Sequence, residues 1–231
     1  MSNDKIDFCL KDFKNILFDL DGTLSDPKEG IINSYKYALK KLNIDEENPG
    51  SLTEFIGTSL QNCFTNKYGL KDNELSSAII YYREYFSEKG AYENKLYDGV
   101  EELLQTLHSK NKKLFIVTTK AKVFAERIIR HFNISQYFEN VYGSELKRMS
   151  DINKEKKEHI CDALKNEKLK AGETIMVGDR KFDITGAKEN GIKSIAVTYG
   201  FGSLEELNKA QPDYSVSTIQ ELYDLLCNKG N

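Results

Sequence analysis

The chain has 231 residues, a formal net charge of −3 and an apolar fraction ordinary for a folded globular protein. That length holds one main core with a smaller satellite, and the slight negative charge offers no general attraction for nucleic acid or an acidic membrane surface. No apolar run reaches the roughly twenty residues of a bilayer span, the charged opening Met1-Ser2-Asn3-Asp4-Lys5 leads into no signal-peptide core, and Cys9, Cys63, Cys161 and Cys227 are scattered without metal-ligand spacing, so free thiols in a reducing cytoplasm are expected.

The first strong element is the apolar run 15–20, ended by Asp-Gly, which reads as a strand buried on both faces. Asp19 and Asp21 stand at its end. In extended chain, residues two apart point the same way about 7 Å from each other. The carboxyl end of such a strand is where open α/β sheets bind ligands, and two carboxylates so close favour a cation between them. Gly22 and Thr23 then turn the chain and present backbone N–H groups suited to an anion.

About ninety residues separate Asp21 from the next comparable strand, 113–118, far more than a crossover needs. Helical spacing fills the interval: Ile31, Ile32, Tyr35, Leu39 and Leu42, then Leu75, Ile79, Tyr82 and Phe86. Residues 26–94 are therefore expected to form a helical domain inserted into a core made of 1–25 and 95–231. The competing arrangement is extra helices in the main core. Tyr81, Tyr82 and Tyr85 read as packing rather than a base-stacking platform, and Arg83 and Lys120 as surface charge ahead of contact with substrate.

The remainder alternates strand and helix. Val100, Leu103, Leu104 and Leu107 share a helical face, with Asp98 placed to cap its start. After strand 113–118, Thr118 and Thr119 offer a hydroxyl and backbone N–H groups at a helix entrance, a geometry that suits an anion. Helix 123–132, strand 140–143 and helix 156–164 follow. The lysines 154, 156 and 157 precede or open that helix, and a lysine there can neutralise phosphate. Strand 174–178 ends in Gly178-Asp179, and Asp179 adds a hard oxygen ligand suited to Mg2+. Asp183, four residues on, either holds a metal-bound water or caps its helix, 183–190. Strands 194–198 and 214–216 and helix 219–227 complete a doubly wound parallel α/β sheet.

Taken together, Asp19-Leu20-Asp21-Gly22-Thr23, Thr118, the lysine run and Gly178-Asp179 with Asp183 resemble the four ordered motifs of the haloacid dehalogenase superfamily. The inserted helices, Gly186-Ala187-Lys188-Glu189-Asn190-Gly191-Ile192 and Tyr199-Gly200-Phe201-Gly202-Ser203 are similar to its phosphoglycolate-phosphatase-like branch. The likeness implies a Rossmann-like core and a Mg2+-dependent phosphatase acting on a small phosphorylated metabolite. In it, Asp19 is the nucleophile and Asp21 the general acid and base. Asp19, the Asp21 carbonyl and Asp179 hold Mg2+, with Asp183 behind them. Thr118, the Thr119 N–H and a lysine bind phosphate, and matching the following helix places that lysine at Lys156. Thr119 departs from the Asn or Ser of many relatives. The loop at Gly57, Thr58 and Ser59 is the candidate for reaching substrate from the cap. The same likeness allows a phosphomutase resembling β-phosphoglucomutase, or a catalytically silent phosphometabolite-binding protein. It leaves the leaving group open among phosphoglycolate, nucleotides, sugar phosphates, pyrophosphate and phosphotyrosine. The oligomeric state is left open, monomer or weak dimer.

Overall fold

A computed structural model describes residues 13–146 and 155–227. At its centre lies β1 (Asn15–Phe18), paired in parallel with β4 (Lys113–Ala121) on one side and β6 (Thr174–Gly178) on the other. With β5 (Phe138–Ser144), β7 (Lys193–Val197) and β8 (Tyr214–Val216), the order is β5-β4-β1-β6-β7-β8. The chain builds outward from β1 through β4 and β5, then crosses to β6. The strand order thus reverses beside β1, and the crevice at the carboxyl ends there is where such sheets take ligands.

β1 carries no polar face because both faces are covered. Ile16 and Phe18 pack with α4 (Val100–Ser109), α5 (Lys122–His131) and α9 (Ile219–Cys227). Leu17 packs the other way, with Ile160 and Ala163 of α6 (Lys156–Asn166) and Ala187 of α7 (Lys181–Glu189). That two-sided burial is why the strand reads as an unbroken apolar run.

Three local expectations change. Asp98 does not cap α4: Gly99 occupies the N-cap with φ 89°, and no side chain caps the helix. The left-handed turn brings the chain sharply into the helix, a conformation glycine adopts without strain. Next, β4 runs on to Ala121, with a register shift against β5 between Val117 and Ala121. Such irregularities re-aim side chains at strand ends, and here they fall on Thr118, Thr119 and Lys120. Finally, α7 begins at Lys181, which puts Asp183 inside its first turn.

Between β2 (Ser25–Asp26) and β3 (Lys95–Leu96), which form a two-stranded antiparallel ribbon, the described elements are all helical. They are α1 (Lys28–Lys41), a 3-10 turn Pro49–Phe55, α2 (Leu60–Asn66), α3 (Asp72–Tyr85) and a π-turn Phe86–Gly90. Tyr35 meets Phe64 and Tyr82 edge-on at centroid distances of 5.3 and 4.8 Å. Phe86 reaches across to Phe124 of α5 at 5.3 Å. At the root of the segment a Cβ on Gly30 would stand 2.0 Å from the Gly90 carbonyl oxygen, so α1 touches the π-turn backbone directly. Cys63, Cys161 and Cys227 are free thiols, and Cys9 lies outside the described residues. Among the described residues no helix is long and apolar enough to cross a membrane.

Candidate active site

β1 ends at Phe18, and the Asp19 N–H makes one more sheet-like bond to the Val177 carbonyl at 2.9 Å. The chain then folds back on itself. Leu24 and Ser25 donate their N–H groups to the Leu20 carbonyl at 3.0 Å each, and Gly22 donates to Ser25 at 2.8 Å. The two aspartates of the motif therefore stand in a tight loop and are not lined up along a strand. Each finds its own lysine. Asp19 Oδ2 lies 2.7 Å from Lys156 Nζ, and Asp21 Oδ2 lies 2.9 Å from Lys120 Nζ.

Lys156, at the first position of α6, is 3% exposed, which is rare for a lysine unless it is paired. Its ammonium touches Asp19, Asp183 Oδ1 at 2.8 Å and the Val117 carbonyl at 3.0 Å. Burial pulls its pKa down, but Asp183 and Asp19 outweigh this and hold it above the ordinary lysine value. Lys157 faces outward, against Glu155 at 3.2 Å and Glu189 at 3.7 Å. Lys154 lies outside the described residues.

Asp179 follows β6 and is fully buried. Its Oδ2 accepts from the Phe201 N–H at 2.8 Å and its Oδ1 from the Thr23 hydroxyl at 3.4 Å. The Tyr199-to-Ser203 stretch closes on it so tightly that a Cβ on Gly200 would sit 2.5 Å from that Oδ2. Asp183 accepts the Arg180 N–H on Oδ2 at 3.0 Å while its other oxygen meets Lys156. It therefore ties its helix start and faces the site at once. Thr118 is buried and its hydroxyl accepts the Lys120 N–H at 3.2 Å.

Oxygens of Asp19, Asp179 and Asp183 lie within 4.8 Å of one another. Burial, then the neighbouring Asp183 and Asp19, pushes Asp179 well above the usual carboxylate range. Burial likewise lifts Asp183 to about 6, with Lys156 opposing it. Three buried carboxylates against one ammonium leave a negative excess that a hard divalent cation would neutralise. The donor set, all oxygen, fits Mg2+.

Asp21 is not one of these three carboxylates, but it lies within electrostatic reach of Asp19 and Lys156. Its pKa is raised by burial and held back by Lys120, and its Oδ1 has no hydrogen-bond partner. It opens into a cleft between the sheet's end and the inserted segment, shared with Gly57, Thr58, Thr119, Lys120 and Arg83. Ser59 lines the adjoining opening with Lys156. Thr119 reaches Gly57 with a hydroxyl-to-carbonyl contact of 3.4 Å.

Lys120 and Arg83 are corrections to the sequence reading, which favoured the surface for both over contact with substrate. The Lys120 side chain is 9% exposed and sits 4.3 Å over the Phe86 ring, and Arg83 is 1% exposed. A signal existed for Arg83: with Ile79, Tyr82 and Phe86 it falls on the apolar stripe of its helix.

Residues 16–197 match the family described as haloacid dehalogenase-like hydrolase. The chain is 42% identical over 214 residues to a protein of Pseudomonas aeruginosa named 5'-nucleotidase, covering 93% of this chain and 96% of that one. It is 32% identical to a Mycobacterium tuberculosis protein named tyrosine-protein kinase PtkA, over 91% of this chain and 72% of that one. Among solved structures, one from Clostridium acetobutylicum described as a predicted phosphatase superposes with a TM-score of 0.86 at 42% identity, covering 92% of this chain and 97% of that one.

Proposed function

Because the chain belongs to the haloacid dehalogenase-like hydrolase family, we propose that it is a Mg2+-dependent phosphatase that hydrolyses small phosphate monoesters through a phosphorylated Asp19. The observation that carries the reading is the pairing of two aspartates with two separate buried lysines. Asp19 is held by Lys156 at 2.7 Å inside the carboxylate cluster, and Asp21 by Lys120 at 2.9 Å beside the cleft. One carboxylate is thereby positioned to attack, the other to move a proton.

In the first half-reaction the Asp19 carboxylate forms a bond to phosphorus as the bond to the leaving oxygen breaks. Asp21 gives its proton to that oxygen. Its burial, which favours the protonated acid, supports this role. In the second half-reaction water attacks phosphorus, Asp21 takes the water's proton, and Asp19 departs as carboxylate. Thr118, the Thr119 N–H and Lys156 hold the phosphoryl oxygens, where positioning and charge neutralisation dominate the chemistry. Mg2+ bound by Asp19, Asp179 and the Asp21 carbonyl, with Asp183 behind, would offset phosphoryl charge.

Residues 26–94 act as a cap, with Gly57, Thr58 and Ser59 as its contact with substrate. It shields the site from water and selects the leaving group. The setting is the reducing cytoplasm, where Cys63, Cys161 and Cys227 remain thiols. Nucleoside 5'-monophosphates head the substrate panel on the strength of the Pseudomonas relative's name.

The test is phosphate release from phosphorylated metabolites, with Mg2+ and with EDTA, by wild type and Asp19→Asn. Metal-dependent release by wild type and none by the variant, with an unchanged melting profile showing that it is folded, is expected. Turnover by Asp19→Asn would remove the nucleophile. Transfer to a sugar phosphate in place of water would make the enzyme a mutase.

A further inference from the structure

Arg180 takes no part in the reaction above, yet its side chain is buried and fully engaged. Nε and Nη2 donate to the two carboxylate oxygens of Glu206, on α8 (Leu204–Ala210), at 2.9 and 3.2 Å. Nη1 donates to the carbonyls of Ile56 and, at 3.2 Å, of Glu54. These carbonyls lie at the end of the 3-10 turn in the inserted segment, and such helix ends leave backbone acceptors unmatched. Gly57 rests on the arginine's methylenes: a Cβ there would stand 2.9 Å from Arg180 Cγ, and its φ of +80° favours glycine.

The same residue's main chain faces the other way. The Arg180 N–H holds Asp183 Oδ2 at 3.0 Å, and Asp179 precedes it in sequence. One residue thus touches the carboxylate cluster with its backbone and the loop 54–57 with its guanidinium. That loop continues into Gly57 and Thr58, which line the cleft facing Asp21 and Lys120.

We infer that Arg180 is a positioning residue for leaving-group selectivity: it fixes loop 54–58 over the cleft beside Asp21. The inference rests on the phosphatase reading of that site. The fork of Arg180 is oriented by its two bonds to Glu206, so its remaining nitrogen meets both carbonyls in one direction. A lysine, a point charge on a flexible stem, cannot hold Glu206 and two carbonyls together.

The experiment compares the full-length wild type, Arg180→Lys, Arg180→Ala and Glu206→Gln by two readouts. The first is amide hydrogen exchange over 54–60. The second is Mg2+-dependent hydrolysis of p-nitrophenyl phosphate, which has a bulky leaving group, and of methyl phosphate, which has a minimal one. Both arginine variants are expected to speed exchange over 54–60. Their kcat/KM for p-nitrophenyl phosphate should fall about ten- to hundredfold, the range for one lost hydrogen bond to a charged group. The loss should sit mainly in KM and leave methyl phosphate unchanged. Glu206→Gln, which keeps the arginine but loosens its orientation, should fall between. Equal losses on both esters would overturn the inference, because they would mean that Arg180 acts through the Asp179–Asp183 loop. Unaltered exchange over 54–60 would overturn it whatever the activity. If wild type hydrolyses neither ester, the phosphatase reading fails, and the exchange result alone decides whether Arg180 holds the loop. Arg180→Lys and Glu206→Gln keep the test available should Arg180→Ala not fold.

Discussion

Lys156 is the residue on which three interactions converge, two carboxylates and a strand carbonyl. Removing one partner of a buried ion pair costs about 3–5 kcal/mol, because the other charge is left without compensation. Lys156→Ala should therefore lower stability in denaturant melts and also reduce kcat by about a hundredfold or more, as loss of an oxyanion-type donor does. Lys157→Ala should do neither, since Lys157 pairs on the solvent side. A larger effect at Lys157 would reverse the assignment. The aspartates of this site were legible because each follows an apolar strand, and strand ends announce themselves. Lys120 and Arg180 were not, because a lone charge in a sequence resembles a solvated one until its side-chain partner, 26 residues or more away, is placed beside it.

At the scale of elements, the sheet was legible where two-sided burial left unbroken apolar runs, and its strands lie within about three residues of expectation. The short helices α2 and α8 were not. Each spans seven residues, and α8 buries Leu207 as its apolar contribution, too little for a repeat. The shifted register of β4 was also invisible, since it is set by pairing with β5. Yet α8 carries Glu206, the anchor of Arg180, and it is capped by Ser203, whose hydroxyl accepts the Glu206 N–H at 3.0 Å. Ser203→Ala should cost about 1 kcal/mol of stability, as lost caps do. Urea melts would register it, and an unchanged midpoint would show that the cap is immaterial.

For the whole molecule, the buried acids set a pH dependence. Asp179, Asp183 and Asp21 all have raised folded pKa values, with Asp183 at about 6. A raised carboxylate binds protons in the folded state at a pH where the unfolded chain has released them, so its contribution to stability declines as pH rises from about 4 to the folded value. Glu206 and Glu46, with lowered values, act in the opposite direction and are lost in acid. Comparison with a variant isolates the cluster. Without metal, Asp179→Asn should raise Tm at about pH 7.5, and the advantage should shrink toward about pH 5. Protons and cation compete for the same oxygens, so Mg2+ should raise the wild-type Tm more at about pH 7.5 than at about pH 5. Thermal melts with and without Mg2+ decide it, and an equal shift at both pH values would exclude this cluster as the binding site.

The central place of β1 has a consequence for synthesis. Its neighbours are β4 and β6, so Phe18 waits for Ile116 on one side and Val177 on the other. A chain emerging from the ribosome, amino end first, can complete the inserted helices and the β1–β4–β5 half while one edge of β1 is still bare. The acidic cluster does not yet exist at that stage, because Asp179 and Asp183 arrive with and just after β6. The complete cluster is therefore among the last features the nascent protein acquires, and a chain truncated before β6 keeps Asp19 but lacks the two carboxylates that stand beside it.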